Sequence, residues 1–427
     1  MPEPNSPLRI AIIGAGPAGL SAAISLQKAL PFTEITIYEQ ATVLREIGTG
    51  LNIQPNTWRM LDALNVSKNI NPHTIFRTSD GHAVQHRNGR TGELLCSLGQ
   101  DGTPPRHLHA RALRSVLQTA LLANVEVPIV LDSRLLRVTE GQHGDAPLNP
   151  VTGSPSLALH FSNGHTTTVD LLIGADGVRS VTCLHGKTAY RGLIPAEKLL
   201  GIEGFPDAVT FWHGPSEWVY TCNLRHGLYE LTCMAGVSKP ESEEWGEKVV
   251  RREEFMRPWK DFGPLVQEVL SHSTEIQRFP LFAGARLEKI VSRGSIALIG
   301  DASHPLSGAF GAGAAFAFED SFVLSRALSW AYTRDLQLSE GLDLYDRVRS
   351  PHYKALYGIL DRFRESDARM ETLGLGFDEA VRHSVREKWG EEAGFGWVYG
   401  YDVQEVWERV VGEEDERLKQ TAEAHLP

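Results

Sequence analysis

The chain has 427 residues, of which 42% are hydrophobic and 22% charged, with a formal net charge of -11. This balance suits a globular protein large enough for two domains. With no lysine- or arginine-rich block, it disfavours nucleic acid or an anionic membrane surface as partner. The four cysteines (Cys96, Cys183, Cys222, Cys233) follow no metal-ligand spacing, so free thiols in a reducing, cytoplasmic compartment are expected, and no metal. No apolar run approaches the roughly 18 residues of a membrane span. Gly14, Gly16, Pro17 and Gly19 interrupt the apolar stretch from Leu8 to Leu30, which therefore does not read as a signal peptide.

In chain order, Arg9–Ile13 reads as a buried parallel strand because its apolar run lacks polar alternation. Gly14, Gly16 and Gly19 follow in GxGxxG spacing, then a helix over Ala18–Ala29 and a second strand, Ile35–Tyr38, ending at Glu39. Strand, glycine turn, helix, strand and acid together form the dinucleotide fingerprint: the glycines admit a pyrophosphate and the carboxylate takes a ribose hydroxyl. Arg45 precedes a Gly48–Gly50 pair, and its type and place suit a phosphate or flavin contact as well as a surface position. Asn56 is the expected cap of a helix carrying Trp58, Met60, Leu61 and Leu64.

Turn signals between Pro72 and Arg106 mark the first part of a β-rich insertion, and His107–Leu122 reads as a helix. Strands are expected over Val125–Val138 and an exposed loop over Gly141–Ser156. The run Asp170–Ser180 (DLLIGADGVRS) is a buried strand ending at Asp176 and Gly177, with Arg179 beyond; an acid at a strand's carboxyl end suits a ligand, and equally a plain turn.

A second insertion follows from Cys183 to Ile290. Its meander alternates Val209, Phe211 and His213, then Trp218, Tyr220 and Cys222, and turns at Arg225 into Tyr229, Leu231 and Cys233. Such a face would roof an aromatic pocket or simply be half buried. Glu241–Leu270, with Trp245 and Trp259, reads as helical.

The strongest stretch is Gly294–Asp320. A short strand (Ile296, Leu298, Ile299) stops at Gly300–Asp301, and a glycine-rich loop leads into a helix beginning near Gly313 and running to Thr333. This brings backbone N–H groups and a carboxylate to a polyhydroxylated, anionic ligand. Helices over Leu342–Glu365 and Trp397–Val411 complete the chain.

Together, IGAGPAGL with Glu39, LIGADGVRS and ALIGDASHPLSGAFGAGAAFAFED resemble the FAD-dependent aromatic hydroxylases, single-component flavoprotein monooxygenases, and within them the salicylate-hydroxylase-like branch, which includes enzymes acting on aromatic polyketides. REIGTGLNIQPN, TAYRGLIP, FWHGP, YDRVR and WVYGYD extend the likeness over nearly the whole chain. The resemblance implies an α/β fold: a Rossmann-like FAD-binding domain (1–71, 107–182, 291–370), an inserted β-sheet-rich substrate domain (72–106, 183–290) and a C-terminal helical segment (371–427). It implies that Gly14, Gly16, Ala18 and Gly19 cradle the FAD pyrophosphate and Glu39 holds the ribose. Arg45, Gly50 and Arg111 would approach the flavin side, Arg111 only with a one-residue shift from the family's His-Arg pair. Asp176 and Gly177 would serve FAD and the nicotinamide, Asp301 the ribityl chain, and Pro305, Gly311, Gly313 and Ala314 the flavin ring.

The chain departs from the family in three places: Gly308 stands where a second proline is usual, Gly311-Ala312-Gly313 replaces Gly-Gln-Gly, and Cys222-Asn223 replaces Tyr-Pro. A more flexible loop and a wider pocket beside the flavin are the expected consequences of the first two.

The implied activity uses NADPH or NADH and O2 to hydroxylate a small phenolic substrate, with decarboxylation where a carboxylate lies beside the hydroxyl. His213, Tyr220, Arg225 and Arg191 are the candidates for activating the phenol. A monomer or homodimer is expected. An FAD-dependent epoxidase or other flavin oxidoreductase is the alternative, ahead of a non-catalytic flavin-binding protein.

Overall fold

The structure, a computed structural model, describes residues 7–44, 50–140, 155–177, 182–236, 247–248, 251–306, 309–390, 393 and 396–424. It opens with β1 (Leu8–Ile13), α1 (Pro17–Ala29) and β2 (Thr33–Tyr38), followed by β3 (Gly50–Ile53) and α2 (Pro55–Ala63). Gln54, not Asn56, caps α2, through a reciprocal box with Thr57. Asn56 is the second residue of the helix, buried, and its Nδ2 donates to Glu319 Oε1 (3.0 Å).

Next come β4 (Val84–Asn88), β5 (Ala110–Leu113) and α3 (Arg114–Leu122). The expected helix from His107 therefore starts seven residues late, at Arg114. Residues 110–113 pair antiparallel with β3 (Asn52 opposite Arg111), and Ile75–Phe76 pairs on the other side of β5. Ladder partners on both sides outweigh helix propensity here. Strands form at Ile129–Val130 and Leu135–Glu140, while most of the expected loop (141–154) lies outside the described residues.

The chain continues through β6 (Leu171–Gly174), β7 (Thr182–Pro195), β8 (Thr210–His213), β9 (Trp218–Asn223), β10 (Leu228–Gly236) and β11 (Ile296–Leu298). Helices Arg252–Met256 and Pro264–Ser271 flank a tight turn that buries Trp259; Trp245 lies outside the described residues. The final helices are α4 (Gly313–Thr333), α5 (Leu338–Leu373), α6 (Phe377–Trp389) and α7 (Val403–Ala424). Helix α5 is longer at both ends than expected and accommodates Pro351, and α7 runs well past Val411 after a break at Tyr401–Asp402.

Two sheets position the site. The six-stranded sheet has the order Val291–Ser292, β11, β6, β1, β2, Ile129–Val130, parallel except for its first strand. In register, Ile13, Gly174, Leu298 and Tyr38 bring the carboxyl ends of β1, β6, β11 and β2 to one edge. This doubly covered sheet, with α1 and α4 packed together on it, is a Rossmann-type FAD-binding architecture. The eight-stranded sheet has the order Glu247–Lys248, Gln277–Gly284, β7, β10, β9, β8, β4, Leu94–Leu98. One of its faces buries Tyr190, Trp212, Val219, Tyr229, Leu231 and Cys233 against Phe255, Trp259 and Val266. Among the described residues no helix is long and apolar enough to cross a membrane, and no acid, histidine or cysteine group could hold a metal.

Candidate cofactor and substrate site

The carboxyl edge of the six-stranded sheet is shaped by missing side chains. Gly14 has φ +108°, and a Cβ there would stand 2.4 Å from Ala175 O. A Cβ at Gly19 would lie 1.9 Å from Gly14 O, so α1 can approach the turn only without one. At Gly16 the corresponding space is open. Neither α1, which starts after Gly16, nor α4, which starts after Ala312, has a capping side chain, so two helix N-termini offer unpaired N–H groups to an anion. Ser21 and Ser321 hold the two helices together through a 2.8 Å hydroxyl pair.

Glu39 stands at the end of β2, its two oxygens accepting from Ala15 N–H and Ala41 N–H (both 2.8 Å). A carboxylate has further lone pairs for a ribose hydroxyl. Asp301 follows β11, and its Oδ1 lies 3.7 Å from where a Gly313 Cβ would be. Burial raises its pKa, with Arg114 at the start of α3 opposing and Asp320 adding to the rise. Open turns, uncapped helix starts and two carboxylates are the donor and acceptor set that FAD, with its pyrophosphate and sugar hydroxyls, requires. The residues fit the cofactor.

Behind this edge lies a buried ionic layer. Asp320 accepts from Gly300 N–H (2.9 Å), Arg349 Nε (2.8 Å) and the Tyr353 hydroxyl. Arg349 is also 3.0 Å from Glu319, and all three ions are fully buried. Burial pushes Glu319 up to about 7 despite the guanidinium, since one cation serves two carboxylates. The layer fixes the Gly300–Asp301 turn from behind. On the loop leading to α4, Phe310 has φ +66°, and its carbonyl accepts from the Tyr399 hydroxyl (2.8 Å). Asn52 Nδ2 donates to Gly311 O (3.3 Å), and Asn52 Oδ1 accepts from His109 Nε2 (2.9 Å).

The eight-stranded sheet turns its other face toward this edge. Cross-strand pairs place His86 beside Phe211, Phe211 beside Tyr220, Tyr220 beside Thr232, Cys222 beside Glu230 and Thr232 beside Arg191. Rings interlock along it: Phe211 lies 4.8 Å from Tyr220 and 5.4 Å from His86. His86 Nδ1 and His213 Nε2 are hydrogen-bonded at 2.9 Å. Burial lowers both histidines, His213 to about 3 with Lys388 contributing, so the pair is neutral at pH 7. The Tyr220 hydroxyl is buried with no oxygen or nitrogen partner among the described residues. Burial holds its pKa well above the ordinary value, and the Arg111 guanidinium sits 5.3 Å over its ring.

Arg111 donates to Glu230, whose charge overrides the burial that opposes ionisation of the arginine. A Cβ at Gly50 would meet both partners, at 2.8 and 2.7 Å, so this glycine lets β3 close over the ion pair. Arg191 completes the group; burial lowers its pKa, Glu230 opposes that, and Arg114 and Arg111 add to it. Its Nε has no hydrogen-bond partner among the described residues. The Arg111, Arg191 and Arg114 guanidinium groups and the Glu230 and Asp301 carboxylates thus act on one another across the seam.

Of the residues singled out from sequence, Gly14, Gly16, Ala18, Gly19, Glu39, Asp176, Gly177, Asp301, Gly313 and Ala314 gather on the sheet edge and the helix starts; Pro305 is buried beside them. Gly50, Arg111, Tyr220, Arg191 and His213 border the facing sheet. Arg225 is not brought there. It occupies an exposed hairpin turn with φ +62°, its Nε donating to Ile75 O (3.3 Å). Arg45, Arg179 and Gly308 lie outside the described residues. Arg114, Glu230, Thr232, His86 and Asn52 join the site without having stood out in the sequence. Glu230 and Thr232 carried a legible signal, as polar residues alternating with Tyr229, Leu231 and Cys233 in one strand. Those three apolar residues face the opposite side, away from the cofactor edge.

Comparison with known proteins agrees with this geometry. The sequence family described as an FAD binding domain matches residues 8–358. An FAD-dependent monooxygenase of Monascus ruber is 31% identical over 74% of this chain and 76% of its own length. A 3-amino-4-hydroxybenzoate 2-monooxygenase of Streptomyces platensis is 28% identical over 94% of this chain and 98% of its own. A salicylate hydroxylase solved as a substrate complex superposes with TM-score 0.76 at 20% identity, covering 95% of this chain and 98% of that one.

Proposed function

The chain belongs to the FAD binding domain family of flavin-dependent monooxygenases, and from that premise we propose that it hydroxylates a phenolic ring seated between the flavin loop and the aromatic face of the eight-stranded sheet. When bound, FAD supplies the redox chemistry, with NAD(P)H as reductant and O2 as oxygen source. The chain's own part is to bind, orient and tune charge. Gly14, Gly16 and Gly19 with the start of α1 hold the pyrophosphate; Glu39 takes the ribose, and Asp301 the hydroxyls of the ribityl chain. The uncapped start of α4 favours negative charge on the cofactor, and Arg191 favours it on the substrate.

On the substrate side, Tyr220 keeps its proton and is a donor to the phenol oxygen as that oxygen gains charge. Arg191 is half-buried, with a buried Nε that has no hydrogen-bond partner among the described residues, and it lowers the cost of the phenolate. His213 is too weakly basic to hold a proton at neutral pH, so its role is to orient the substrate as half of a neutral pair with His86. Arg225 has no part in this arrangement. The same proposal has the chain acting in the cytoplasm as a monomer or homodimer.

The observation that carries this reading is the buried Tyr220 hydroxyl, with no oxygen or nitrogen partner among the described residues, beside Arg111 and Glu230. Its test is Tyr220→Phe in FAD-loaded protein. We expect kcat/KM for the best phenol to fall roughly tenfold to hundredfold with flavin content unchanged. An unaltered kcat/KM would contradict the role.

A further inference from the structure

The family match ends at residue 358, yet two rings from beyond that point enclose the aromatic face. Phe363, on the outer part of α5, lies 6.5 Å from Phe310 of the flavin loop. Trp389, the last residue of α6, lies 5.4 Å from Phe363 and 4.7 Å from His86 at an angle of 24°, with Phe211 6.5 Å away. Tyr220 and Arg111 continue the circuit from Phe211 to β3, and Asn52 on β3 bonds back to Gly311. Contacts among eight separate segments therefore close into one ring between the flavin loop and the sheet. Phe211, Phe363 and Trp389 stay half-buried within it.

Helix α6 is fixed both to the sheet and to α5, where Ser366 donates to Glu387 (2.8 Å) and Arg369 and Lys388 pair with Glu387 and Asp367. Asn88 Nδ2 donates to Asp378 Oδ1 (3.1 Å), Arg382 pairs with Glu93 (2.7 Å), and Arg90 lies 3.9 Å over the Phe377 ring. At the other end of the helix, Cys96 Sγ contacts Trp389 O (3.7 Å). The wall that Trp389 forms thus keeps its place relative to Phe211 and His213, where the substrate ring is oriented.

We propose that Trp389 is a specificity-determining residue: the C-terminal helix α6 supplies the wall that sets the size and planarity of the phenol accepted. This rests on the phenol-hydroxylase reading of the site. The substrate class it selects is a flat aromatic that stacks within the ring, and removing the indole admits broader, fused-ring phenols.

The test uses FAD-loaded wild type, Trp389→Phe and Trp389→Ala. Perturbation of the flavin absorption spectrum gives Kd values for a panel of single-ring and fused-ring phenols; flavin content and melting temperature report the fold. Trp389→Ala is expected to weaken the best single-ring phenol roughly tenfold and to move the single-ring to fused-ring preference by about the same factor, with Trp389→Phe intermediate. Flavin content should match wild type. A preference ratio unmoved in both folded variants overturns the proposal, as does loss of flavin in Trp389→Phe, which would make the indole merely structural. If no phenol perturbs the wild-type flavin, the phenol reading itself fails and this proposal with it, a result distinct from an unmoved ratio. Should Trp389→Ala not fold, Trp389→Phe and Phe363→Leu give the same two-way answer on the ratio.

Discussion

The cofactor edge and the aromatic face lie against each other but are built on different terms. At the edge the working parts are backbone N–H groups, turns and absent Cβ atoms, as at Gly14 and Gly19, and each part has few substitutes. On the facing sheet the working parts are side chains, His86, Phe211, Tyr220 and Trp389 among them, contributed by separate elements and packed ring against ring. The first region is therefore constrained by its backbone, and the second by which side chains its separate elements bring together.

That contrast can be broken most sharply at Gly19. Gly19→Val puts a branched side chain where even a Cβ would be 1.9 Å from Gly14 O. We expect about 4 kcal/mol or more of destabilisation and a protein purified without flavin; a yellow, normally stable variant would show that the edge is not close-packed. Acid provides the complementary stress on the aromatic face. His213 titrates near pH 3 when folded, because burial disfavours its cation, whereas an unfolded histidine titrates at about 6.5. The unfolded state then binds protons first, so the stability due to a neutral His213 is present above about pH 6.5 and lost as pH falls toward 3. The loss is up to about 1.4 kcal/mol per pH unit for each such group. His86→Asn with His213→Asn should flatten the acid limb of a melting-temperature profile, and identical limbs would contradict the neutral pair. The smallest effect is expected where the two regions are tied. Tyr399→Phe removes one hydrogen bond to Phe310 O, worth about 1 kcal/mol, and should weaken FAD binding by a few-fold in equilibrium dialysis. A change of a hundredfold would mean that the tether governs the edge itself.

The same contrast explains what the sequence could disclose. Constraints on the backbone act over a few neighbouring residues, so GAGPAG, ADG and GDASHP appear as contiguous motifs, and a strand ending in an acid was legible at Glu39 and Asp301. The start of α3 was missed because β3 and Ile75–Phe76, both distant in sequence, claim residues 110–113 as a strand. Arg111 carried a signal as a charged residue near a helix start, but its partner Glu230 lies 119 positions away and only the fold unites them. Trp389 was unremarkable in sequence, since an aromatic at a helix end is ordinary until its neighbours are known. Alternation in β8 and β9 pointed to the right face; in β10 the eye follows Tyr229, Leu231 and Cys233, which belong to the core on the far side.

The central claim is that oxygen from O2 enters a phenolic ring held between these two regions. Its most direct measurement is turnover of the FAD-loaded protein under isotopically labelled O2, using the phenol that most stimulates NAD(P)H oxidation, with mass analysis of the product. The account predicts one labelled oxygen in the aromatic product for each NAD(P)H consumed. NAD(P)H oxidation that yields only hydrogen peroxide, with every phenol recovered unchanged, would contradict it.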